Sequence, residues 1–215
     1  MPEVLARVIS ADACAGSCVS RDPSGYDKQI AELAELDASV GTERRNDFIR
    51  GRIAARRALR ELEVQLGTIP IGPWGVPEWP AGVVGSISHS AGAGVAVVAH
   101  ASDRRGIGID IEARNRRLSN RSVGRVLTRA ESWALEEKST LPWPLVLFCA
   151  KEAAFKAVFQ AYGCRLLPSD LAFAQPAVGA ASGSLLCGIS RPDLHIHVRY
   201  ALIGRFLVAC VELAR

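Results

Sequence analysis

The stretch GIGIDIE, residues 106–112, places two carboxylates at the end of a run of small and branched apolar residues. Branched apolar runs are typical of a buried β-strand. Because the side chains of a strand alternate between its two faces, Asp110 and Glu112 point to the same face. Two like charges side by side at the end of a buried strand repel each other, which indicates a purpose other than folding.

A third carboxylate lies in AKEAAFK, residues 150–156, where Glu152 and Lys156 are four residues apart and share one face of a helix. An exposed pair of this kind would be an ordinary salt bridge worth about 0.3–0.5 kcal/mol. The surrounding sequence, residues 145–162, is apolar nearly all round, which predicts a buried helix and makes both charges costly. The sequence therefore favours a functional role for this pair.

A bound divalent cation would explain all three carboxylates. Magnesium prefers hard oxygen ligands and combines a few carboxylates with phosphate oxygens and water. Asp110, Glu112 and Glu152 would supply the carboxylates, and Lys156 would add a positive charge for a phosphate. The pattern predicts metal and phosphate chemistry but does not name the substrate.

Two further segments carry residue types that bind ligands. GSISHS, residues 85–90, offers the hydroxyls of Ser88 and Ser90 and the His89 imidazole beside small residues. A lone histidine at a strand end is more often a structural residue, so both interpretations stay open. On a helical wheel, three arginines form one stripe that either binds phosphate or is solvated: Arg45, Arg52 and Arg56.

The 215-residue chain is 49% apolar and 22% charged, which predicts a globular protein with one large domain or two small ones. No apolar run reaches the ~20 residues of a membrane span, and the first residues lack the pattern of a secretion signal. We therefore expect a cytoplasmic protein without a membrane span. The spacing of the six cysteines fits no zinc site, so we expect free thiols.

The positive charge is unevenly distributed. The net charge is +4, with seven arginines in residues 44–60 and eight in residues 104–129. Such clusters suit a phosphate-rich or acidic partner, although a solvated helix face is the ordinary explanation for most of these arginines. Nucleic acid is not an expected partner, because aromatic residues make up only 6% of the chain and do not interleave with the basic ones.

Local patterns predict a mixed α+β chain. Apolar periodicity and end signals predict helices over residues 43–66 and 145–162. Residues 70–82 are rich in proline and glycine and predict a loop, and residues 112–125 predict a basic loop that precedes another helix. Four apolar stretches predict strands: residues 83–90, 94–101, 194–203 and 205–213.

The chain also contains a weak internal repeat. The strand pattern of residues 94–101 resembles that of residues 205–213, and each follows a long amphipathic helix. This predicts two similar α+β halves that meet near residue 106. We place an N-terminal subdomain in residues 1–105 and a C-terminal subdomain in residues 106–215, with no specific prediction for residues 1–40.

Four motifs, taken together and in order, resemble the 4′-phosphopantetheinyl transferases of the surfactin and enterobactin type. They are RRNDFIRGRIAARRAL (44–59), GVPEWPAGVVGSISHS (75–90), GIGIDIE (106–112) and LPWPLVLFCAKEAAFKAV (141–158). The gap between the last two motifs is similar to the gap in that family. Any one motif would be a weak signal, whereas four in register are highly specific.

This resemblance implies a fold and an activity. The fold is a pseudo-twofold pair of similar α+β subdomains in one chain, with the active site between them. The activity is transfer of 4′-phosphopantetheine from coenzyme A to a serine of an acyl or peptidyl carrier protein, with release of 3′,5′-ADP. The implied metal is Mg²⁺, for which Mn²⁺ can substitute, and the implied pathways are nonribosomal peptide, siderophore or polyketide synthesis. A monomer is expected.

The resemblance also implies a role for each matched residue. The metal ligands would be Asp110, Glu112 and Glu152, and the catalytic residues would be Glu152, as general base, and Lys156. Coenzyme A would contact eight residues: Arg44, Arg52, Gly75, Val76, Ser88, His89, Asp110 and Lys156.

Two positions depart from a simple match. The helical wheel favours Arg45 as the coenzyme-binding arginine, whereas the family pattern matches Arg44. Relatives often carry a lysine or arginine before the proline that matches Pro77, but residues 74–76 of this chain are uncharged. Another arginine would have to replace that charge, or one phosphate contact is missing.

Two other classes of function stay open on the sequence alone. A metal-dependent nuclease or phosphodiesterase also combines acidic ligands with a lysine, but it would cut its substrate with magnesium and ignore coenzyme A. A non-catalytic module that binds coenzyme A or a carrier protein would have no need of a general base such as Glu152.

Overall fold

A computed structural model describes residues 5–136, 141–176, 182–189 and 196–215. Within these ranges the chain is a mixed α+β protein with two sheets. The strands are β1 (Cys14–Val19), β2 (Val83–Ser90), β3 (Ala93–His100), β4 (Arg104–Ala113), β5 (Leu171–Phe173), β6 (Ser182–Ile189), β7 (Ile196–Ile203) and β8 (Phe206–Ala214). The α-helices are α1 (Thr42–Glu61), α2 (Asn120–Val126), α3 (Trp133–Glu136) and α4 (Trp143–Tyr162).

The strands form two antiparallel sheets, in the orders β1-β3-β2 and β4-β8-β7-β6-β5. Each sheet carries one 20-residue helix: α1 packs on β1 and β3, and α4 packs on β4 and β8. Two sheets, each covered by a long helix, confirm the predicted pair of α+β halves. The division at residue 106 stays a prediction.

The apolar core consists of clusters between these layers. On β3, Val95 and Val97 face a cluster between the two sheets, where they join Ile109 of β4. Ala96 and Val98, on the opposite face of β3, pack under α1. Because both faces of β3 are buried, its sequence is a continuous apolar run and does not alternate. A further cluster lies between α4 and the five-stranded sheet.

Glycines let the long helices approach their sheets closely. A Cβ at Gly108 of β4 would lie 1.8 Å from the carbonyl oxygen of Ala153 in α4, and a Cβ at Gly16 of β1 would lie 2.0 Å from that of Ala54 in α1. Side chains two residues apart on a strand share a face. Along the face of GIGIDIE that packs against α4, the glycines therefore come first and the two carboxylates follow them.

The first long helix is shorter than the sequence predicts. The prediction over residues 43–66 is wrong at its end, because α1 stops at Glu61. Glu63 has a left-handed backbone with φ of 58°, which turns the chain out of the helix. The chain then brings Ile69 into the core under α1.

Two elements were missed by the sequence patterns. Helix α2 lies in the predicted basic loop, and the hydroxyl of Ser119 caps it by accepting a hydrogen bond from the N–H of Ser122 at 3.1 Å. Strand β1 lies in residues 1–40, for which nothing specific was predicted. Its sequence, CAGSCV, is too small and polar to signal a strand by itself.

The other predicted elements are confirmed. The predicted strands 83–90, 94–101 and 205–213 correspond to β2, β3 and β8, and the helix over 145–162 corresponds to α4. In the predicted strand 194–203, β7 begins at Ile196, and residues 194–195 lie outside the described ranges. None of the six cysteines, all of which lie in the described ranges, forms a disulfide. None of the described helices is long and apolar enough to cross a membrane.

Candidate active site

The two sheets meet where β2 lies beside β4, and serine side chains join these strands. N–H groups at every second residue of β4 donate hydrogen bonds to the hydroxyls of serines that lie at every second residue of β2. The pairs are Ile109 to Ser86 at 3.1 Å, Ile111 to Ser88 at 3.3 Å and Ala113 to Ser90 at 3.3 Å. In each pair the serine lies 23 residues earlier, so the two strands run in the same direction. This contact sets the SISHS stretch against the carboxylates of β4.

Asp110 is buried, and two donors hold one of its oxygens. The Ser88 hydroxyl and the Lys156 ammonium each donate to Oδ1 at 2.8 Å. Lys156 also donates to the carbonyl oxygen of Ile109 at 2.9 Å. The other oxygen, Oδ2, is buried and has no hydrogen-bond partner among the described residues. Asp110 is thus fixed at one oxygen and unsatisfied at the other.

Glu112 is buried two residues farther along the same face. The Ser90 hydroxyl donates to its Oε2 at 3.2 Å, and Arg116 forms an ion pair with its Oε1. The Arg116 guanidinium also lies 4.8 Å from the ring centroid of Phe148 in α4. Burial is the main cause that raises the pKa of Glu112, while Arg116 opposes the shift and Asp110 adds to it.

Glu152 lies on α4, one turn before Lys156, and its side chain forms no hydrogen bond or ion pair with any described residue. Burial raises the pKa of Glu152, the charge of Asp110 raises it further, and Lys156 acts against both. A carboxylate with a raised pKa and unengaged oxygens is well suited to accept a proton. Glu152 also lines a cavity of about 170 Å³ with Phe155 and Leu167.

The three carboxylates fit a divalent cation in donor type and charge. Burial and mutual repulsion raise the pKa values of Glu112 and Glu152, and a cation would relieve both effects. The unpartnered Oδ2 of Asp110 is a free oxygen donor. In the described ranges, however, no group of three His, Cys, Asp or Glu side chains is gathered as a metal site. The structure brings Asp110 and Glu112 together on one strand face but does not gather Glu152 with them.

A cavity of about 490 Å³, here called the larger cavity, lies between the two halves. Gly75 and Val76 form one wall, and Phe155 and Lys156 of α4 form another. Among its described lining residues, Lys156 carries the only charge. Both Trp74 and Gly75 have left-handed backbones, with φ of 66° and 76°, so a tight turn shapes the first wall.

A second cavity of about 200 Å³, here called the basic cavity, adjoins the larger one at Gly75. Arg44, Arg52 and His89 line it, so these predicted coenzyme-binding residues lie around one space. Arg52 is buried, and its Nε donates to the carbonyl oxygen of Ile69 at 2.9 Å. Burial lowers the pKa of Arg52 to about 10.

Two members of the predicted arginine stripe have acidic partners. Arg45 donates to Asp27 at 2.9 Å, and Arg56 donates to both oxygens of buried Glu32 at 3.0 Å. Neither lines the basic cavity in the described residues, whereas Arg44 does. The interpretation of Arg45, Arg52 and Arg56 as one ligand-binding stripe is therefore wrong. Arg45 and Arg56 instead form ion pairs with carboxylates of the segment before α1.

Two predicted contacts of coenzyme A, Ser88 and Asp110, line neither cavity in the described residues. The Ser88 hydroxyl is already engaged by the strand contact and by Asp110. Near the position where relatives carry a basic residue, the Arg165 guanidinium lies 5.0 Å from the ring centroid of Trp74. An arginine from the loop after α4 thus supplies positive charge beside the larger cavity.

Several residues at this site were not found by sequence reasoning. Ser86 belongs to the quoted motif but was assigned no role, and Ser90 was predicted only as a hydroxyl donor. Asp47 pairs with His89 at 3.2 Å. Gln160 accepts a hydrogen bond from the Ile107 N–H at 2.9 Å and donates to the carbonyl oxygen of Gly85 at 2.9 Å. The spacing of Glu152, Lys156 and Gln160, each four residues apart on α4, is a signal that could have identified Gln160.

Comparison with known proteins agrees with this arrangement. A sequence model of the 4′-phosphopantetheinyl transferase N-terminal domain matches residues 32–99, and one of the 4′-phosphopantetheinyl transferase superfamily matches residues 106–211. The 4′-phosphopantetheinyl transferase PptT of Mycobacterium tuberculosis is 40% identical over 140 residues, which cover 64% of this chain and 61% of that protein. Enterobactin synthase component D of Escherichia coli O157:H7 is 36% identical over 148 residues, which cover 65% of this chain and 68% of that protein.

Among solved structures, the holo-[acyl-carrier-protein] synthase of Thermotoga maritima matches with a TM-score of 0.41 and 23% identity, over 52% of this chain and 65% of that one. That likeness is too weak to carry an argument. The chain spans between 50% and 61% of the length of the first curated relatives that it matches. The two sequence models and the relative of which it covers two thirds show that the chain belongs to the 4′-phosphopantetheinyl transferase superfamily.

Proposed function

We propose that the protein transfers the 4′-phosphopantetheine group of coenzyme A to a serine of an acyl or peptidyl carrier protein and releases 3′,5′-ADP. The observation that carries this proposal is the junction of a mostly apolar cavity with a basic cavity, beside Asp110 and Lys156. A nucleotide with several phosphates and a long uncharged arm needs both kinds of surface. Membership of the transferase superfamily supports the same reaction.

Coenzyme A is proposed to bind across the two cavities. Arg44, Arg52 and His89 supply donors for its phosphates in the basic cavity. Gly75 lies at the junction and, with Val76, offers backbone against which the nucleotide can lie. Lys156 brings a positive charge into the larger cavity, where the group to be transferred would lie.

The proposed chemistry divides between three carboxylates and a lysine. Asp110, Glu112 and Glu152 would hold Mg²⁺ or Mn²⁺, which when bound neutralises charge on the pyrophosphate. Glu152 accepts the proton of the carrier serine, because its carboxylate oxygens have no hydrogen-bond partner among the described residues. The serine oxygen bonds to the phosphorus that bears pantetheine, the bond from that phosphorus to the 3′,5′-ADP oxygen breaks, and Lys156 stabilises the developing charge.

The carrier protein is proposed to approach the basic segment after β4. Carriers of this class are usually acidic, and opposite charge steers association. Five exposed arginines whose side chains form no hydrogen bond with the described residues provide that charge: Arg114, Arg117, Arg121, Arg125 and Arg129. A siderophore, other nonribosomal peptide or polyketide pathway is proposed, since one relative is an enterobactin synthase component.

We further propose a cytoplasmic monomer. Six cysteines that form no disulfide suit a reducing compartment, and the proposed site lies between two halves of one chain. The subdomains are proposed as residues 1–105 and 106–215, which agrees with the gap between the two family matches at residues 99 and 106.

Intact-mass spectrometry of an apo peptidyl carrier protein tests the function. The carrier is incubated with coenzyme A, Mg²⁺ and wild type, Glu152→Gln or Glu61→Gln. Glu61 is exposed at the end of α1, so its variant controls for loss of a carboxylate elsewhere. We expect a mass gain of one phosphopantetheine with wild type and Glu61→Gln and little gain with Glu152→Gln.

The outcome separates this proposal from its rivals. No mass gain over several carriers, with the protein shown to be folded, would reject the transferase function. Coenzyme A binding without any transfer would then favour a binding module. Cleavage of nucleic acid with Mg²⁺ in the absence of coenzyme A would favour a nuclease.

A further inference from the structure

The exposed edge of β4 is capped by side chains. β4 is the outer strand of its sheet, so every second N–H group of this edge lacks a strand partner. Gln160 accepts from the first such group, at Ile107, and three serines accept from the next three. These serines, here called the serine ladder, are Ser86, Ser88 and Ser90. A buried strand edge needs such acceptors, because a buried N–H group without a partner is costly.

Two members of the serine ladder also donate a hydrogen bond. The Ser88 hydroxyl accepts from the Ile111 N–H and donates its proton to Asp110 Oδ1 at 2.8 Å. The Ser90 hydroxyl accepts from Ala113 and donates to Glu112 Oε2 at 3.2 Å. A hydroxyl has a single proton. In both serines that proton is directed at a carboxylate, so it is not available to a phosphate of the substrate.

Ser86 differs from the other two in one respect. Its hydroxyl accepts from the Ile109 N–H at 3.1 Å but donates to no carboxylate, because the β4 residue equivalent to Asp110 is Gly108 there. The ladder therefore contains a natural comparison. Ser86 shares the strand contact of Ser88 and Ser90 and lacks only their bond to a carboxylate.

We propose that Ser88 and Ser90 are positioning residues that orient the Asp110 and Glu112 carboxylates for the divalent cation. The proposal rests on the proposed function, and it changes the role of Ser88 from a contact of coenzyme A to a support of the metal ligands. Each serine belongs to β2 and forms a hydrogen bond both with a carboxylate of β4 and with a backbone N–H group of β4. For Asp110 this leaves Oδ2 as the oxygen without a partner. The half that contains the basic cavity thus fixes ligands on the other half.

Mn²⁺ binding, followed by electron paramagnetic resonance of the free ion, tests this role without turnover. We expect Ser90→Ala to raise the Mn²⁺ dissociation constant about tenfold, as loss of outer-shell partners of a metal site typically does. Ser86→Ala is expected to leave it within about twofold. Ser90→Thr keeps the hydroxyl and is expected to bind as wild type does.

Hydrogen exchange shows whether each variant has lost the hydrogen bond from the β4 N–H group to the substituted serine. The amide of Ala113 should exchange faster in Ser90→Ala, and that of Ile109 faster in Ser86→Ala. Ser88→Ala provides the same comparison at Asp110. Equal Mn²⁺ affinity in Ser90→Ala and Ser86→Ala, when each has lost its hydrogen bond from β4, would overturn the positioning role. No Mn²⁺ binding by the wild type would instead reject the metal site of the proposed function.

Discussion

His89 Nδ1 lies 3.2 Å from Oδ2 of Asp47, and Oδ1 of the same carboxylate accepts from Nη1 of Arg50 at 2.8 Å. Arg50 is 1% exposed and also donates to the carbonyl oxygens of Ser20 and Arg21. A buried guanidinium that also hydrogen-bonds two carbonyl oxygens thus fixes the carboxylate, and the carboxylate fixes the imidazole. With Nδ1 engaged, Nε2 is the ring nitrogen available to a ligand in the basic cavity.

Asp47→Asn should therefore weaken coenzyme A binding. A hydrogen bond to a charged group is worth about 1.5–3 kcal/mol, so we expect KM for coenzyme A to rise about tenfold, with a smaller change in kcat. Steady-state kinetics with coenzyme A as the varied substrate measures both. Asp27→Asn is the control, because Asp27 pairs with Arg45 away from the cavity. Equal KM values for the two variants would show that Asp47 does not orient His89 for the substrate.

Lys156→Met should reduce catalysis more than stability. The Lys156 side chain is partly exposed and reaches Asp110 and the larger cavity. Removal of one preorganised charge donor typically lowers kcat about 10²–10³-fold. Single-turnover transfer at saturating coenzyme A measures this effect, and urea unfolding should show a near-native midpoint. A variant that unfolds early but transfers normally when folded would contradict a catalytic role for Lys156.

Lys151→Met should instead reduce stability more than catalysis, although Lys151 lies only five residues before Lys156 on α4. Lys151 is 3% exposed and donates to Glu131 at 2.6 Å and to the carbonyl oxygen of Val126 at 2.6 Å. Removal of the lysine would leave Glu131, which is fully buried, without its cation. Breaking such a pair typically costs about 3–5 kcal/mol. Urea unfolding measures the loss, and an unfolding free energy within error of wild type would refute it.

Elements with a strong local signal were predictable from the sequence. Helix α4 and the β2–β3 hairpin follow from apolar periodicity and end residues. The shared face of Asp110 and Glu112 follows from strand alternation. The contact of β2 with β4 does not, because it depends on how the two halves are placed relative to each other. No local pattern pairs Ser88 with Ile111.

The arginines of α1 show the same limit. A helical wheel gives the direction of a side chain but not its neighbour. Arg56 and Arg52 point to similar sides of α1, yet Arg56 meets Glu32 and Arg52 lines the basic cavity. Glu32 comes from a 3₁₀ turn, Ala31–Glu35, in a region without a clear sequence pattern. Such partners could only be assigned from the tertiary structure.

Glu32→Gln should destabilise the fold in a pH-dependent way. Glu32 accepts from Arg56 and from the Ile69 N–H. Burial acts to raise its pKa, but these hydrogen bonds outweigh burial and hold the pKa below the ordinary value of 4.5. A carboxylate with a lowered folded-state pKa stabilises the fold fully above its unfolded-state pKa, and this contribution is lost as pH falls through the folded-state value.

We therefore expect Glu32→Gln to lower the free energy of unfolding by about 2 kcal/mol at neutral pH. The difference in unfolding free energy between wild type and Glu32→Gln should become smaller as the pH is lowered below 4.5. Urea unfolding over this range measures it, with Glu61→Gln as the control for an exposed carboxylate. A difference that stays constant with pH would show that the charge of Glu32 is not what stabilises the fold.

Charge reversal at Arg117 should weaken recognition of an acidic carrier. Arg117 is exposed and has no hydrogen-bond partner among the described residues, so Arg117→Glu changes surface charge with little effect on packing. We expect the carrier KM to rise about 3- to 10-fold at low salt. The effect should shrink at high salt, because exposed charges are then screened. KM for coenzyme A should not change.

Arg116→Glu is the informative comparison, since Arg116 is bound to Glu112 and lies over Phe148. Its reversal should weaken Mn²⁺ binding as well as carrier recognition, and the loss of Mn²⁺ affinity should persist at high salt because the pair is partly buried. Carrier KM measured for both variants at two salt concentrations, with Mn²⁺ affinity measured in parallel, separates the two effects. An unchanged carrier KM for Arg117→Glu at low salt would reject steering by this arginine, and unchanged Mn²⁺ affinity in Arg116→Glu would show that its pair with Glu112 does not shape the metal site.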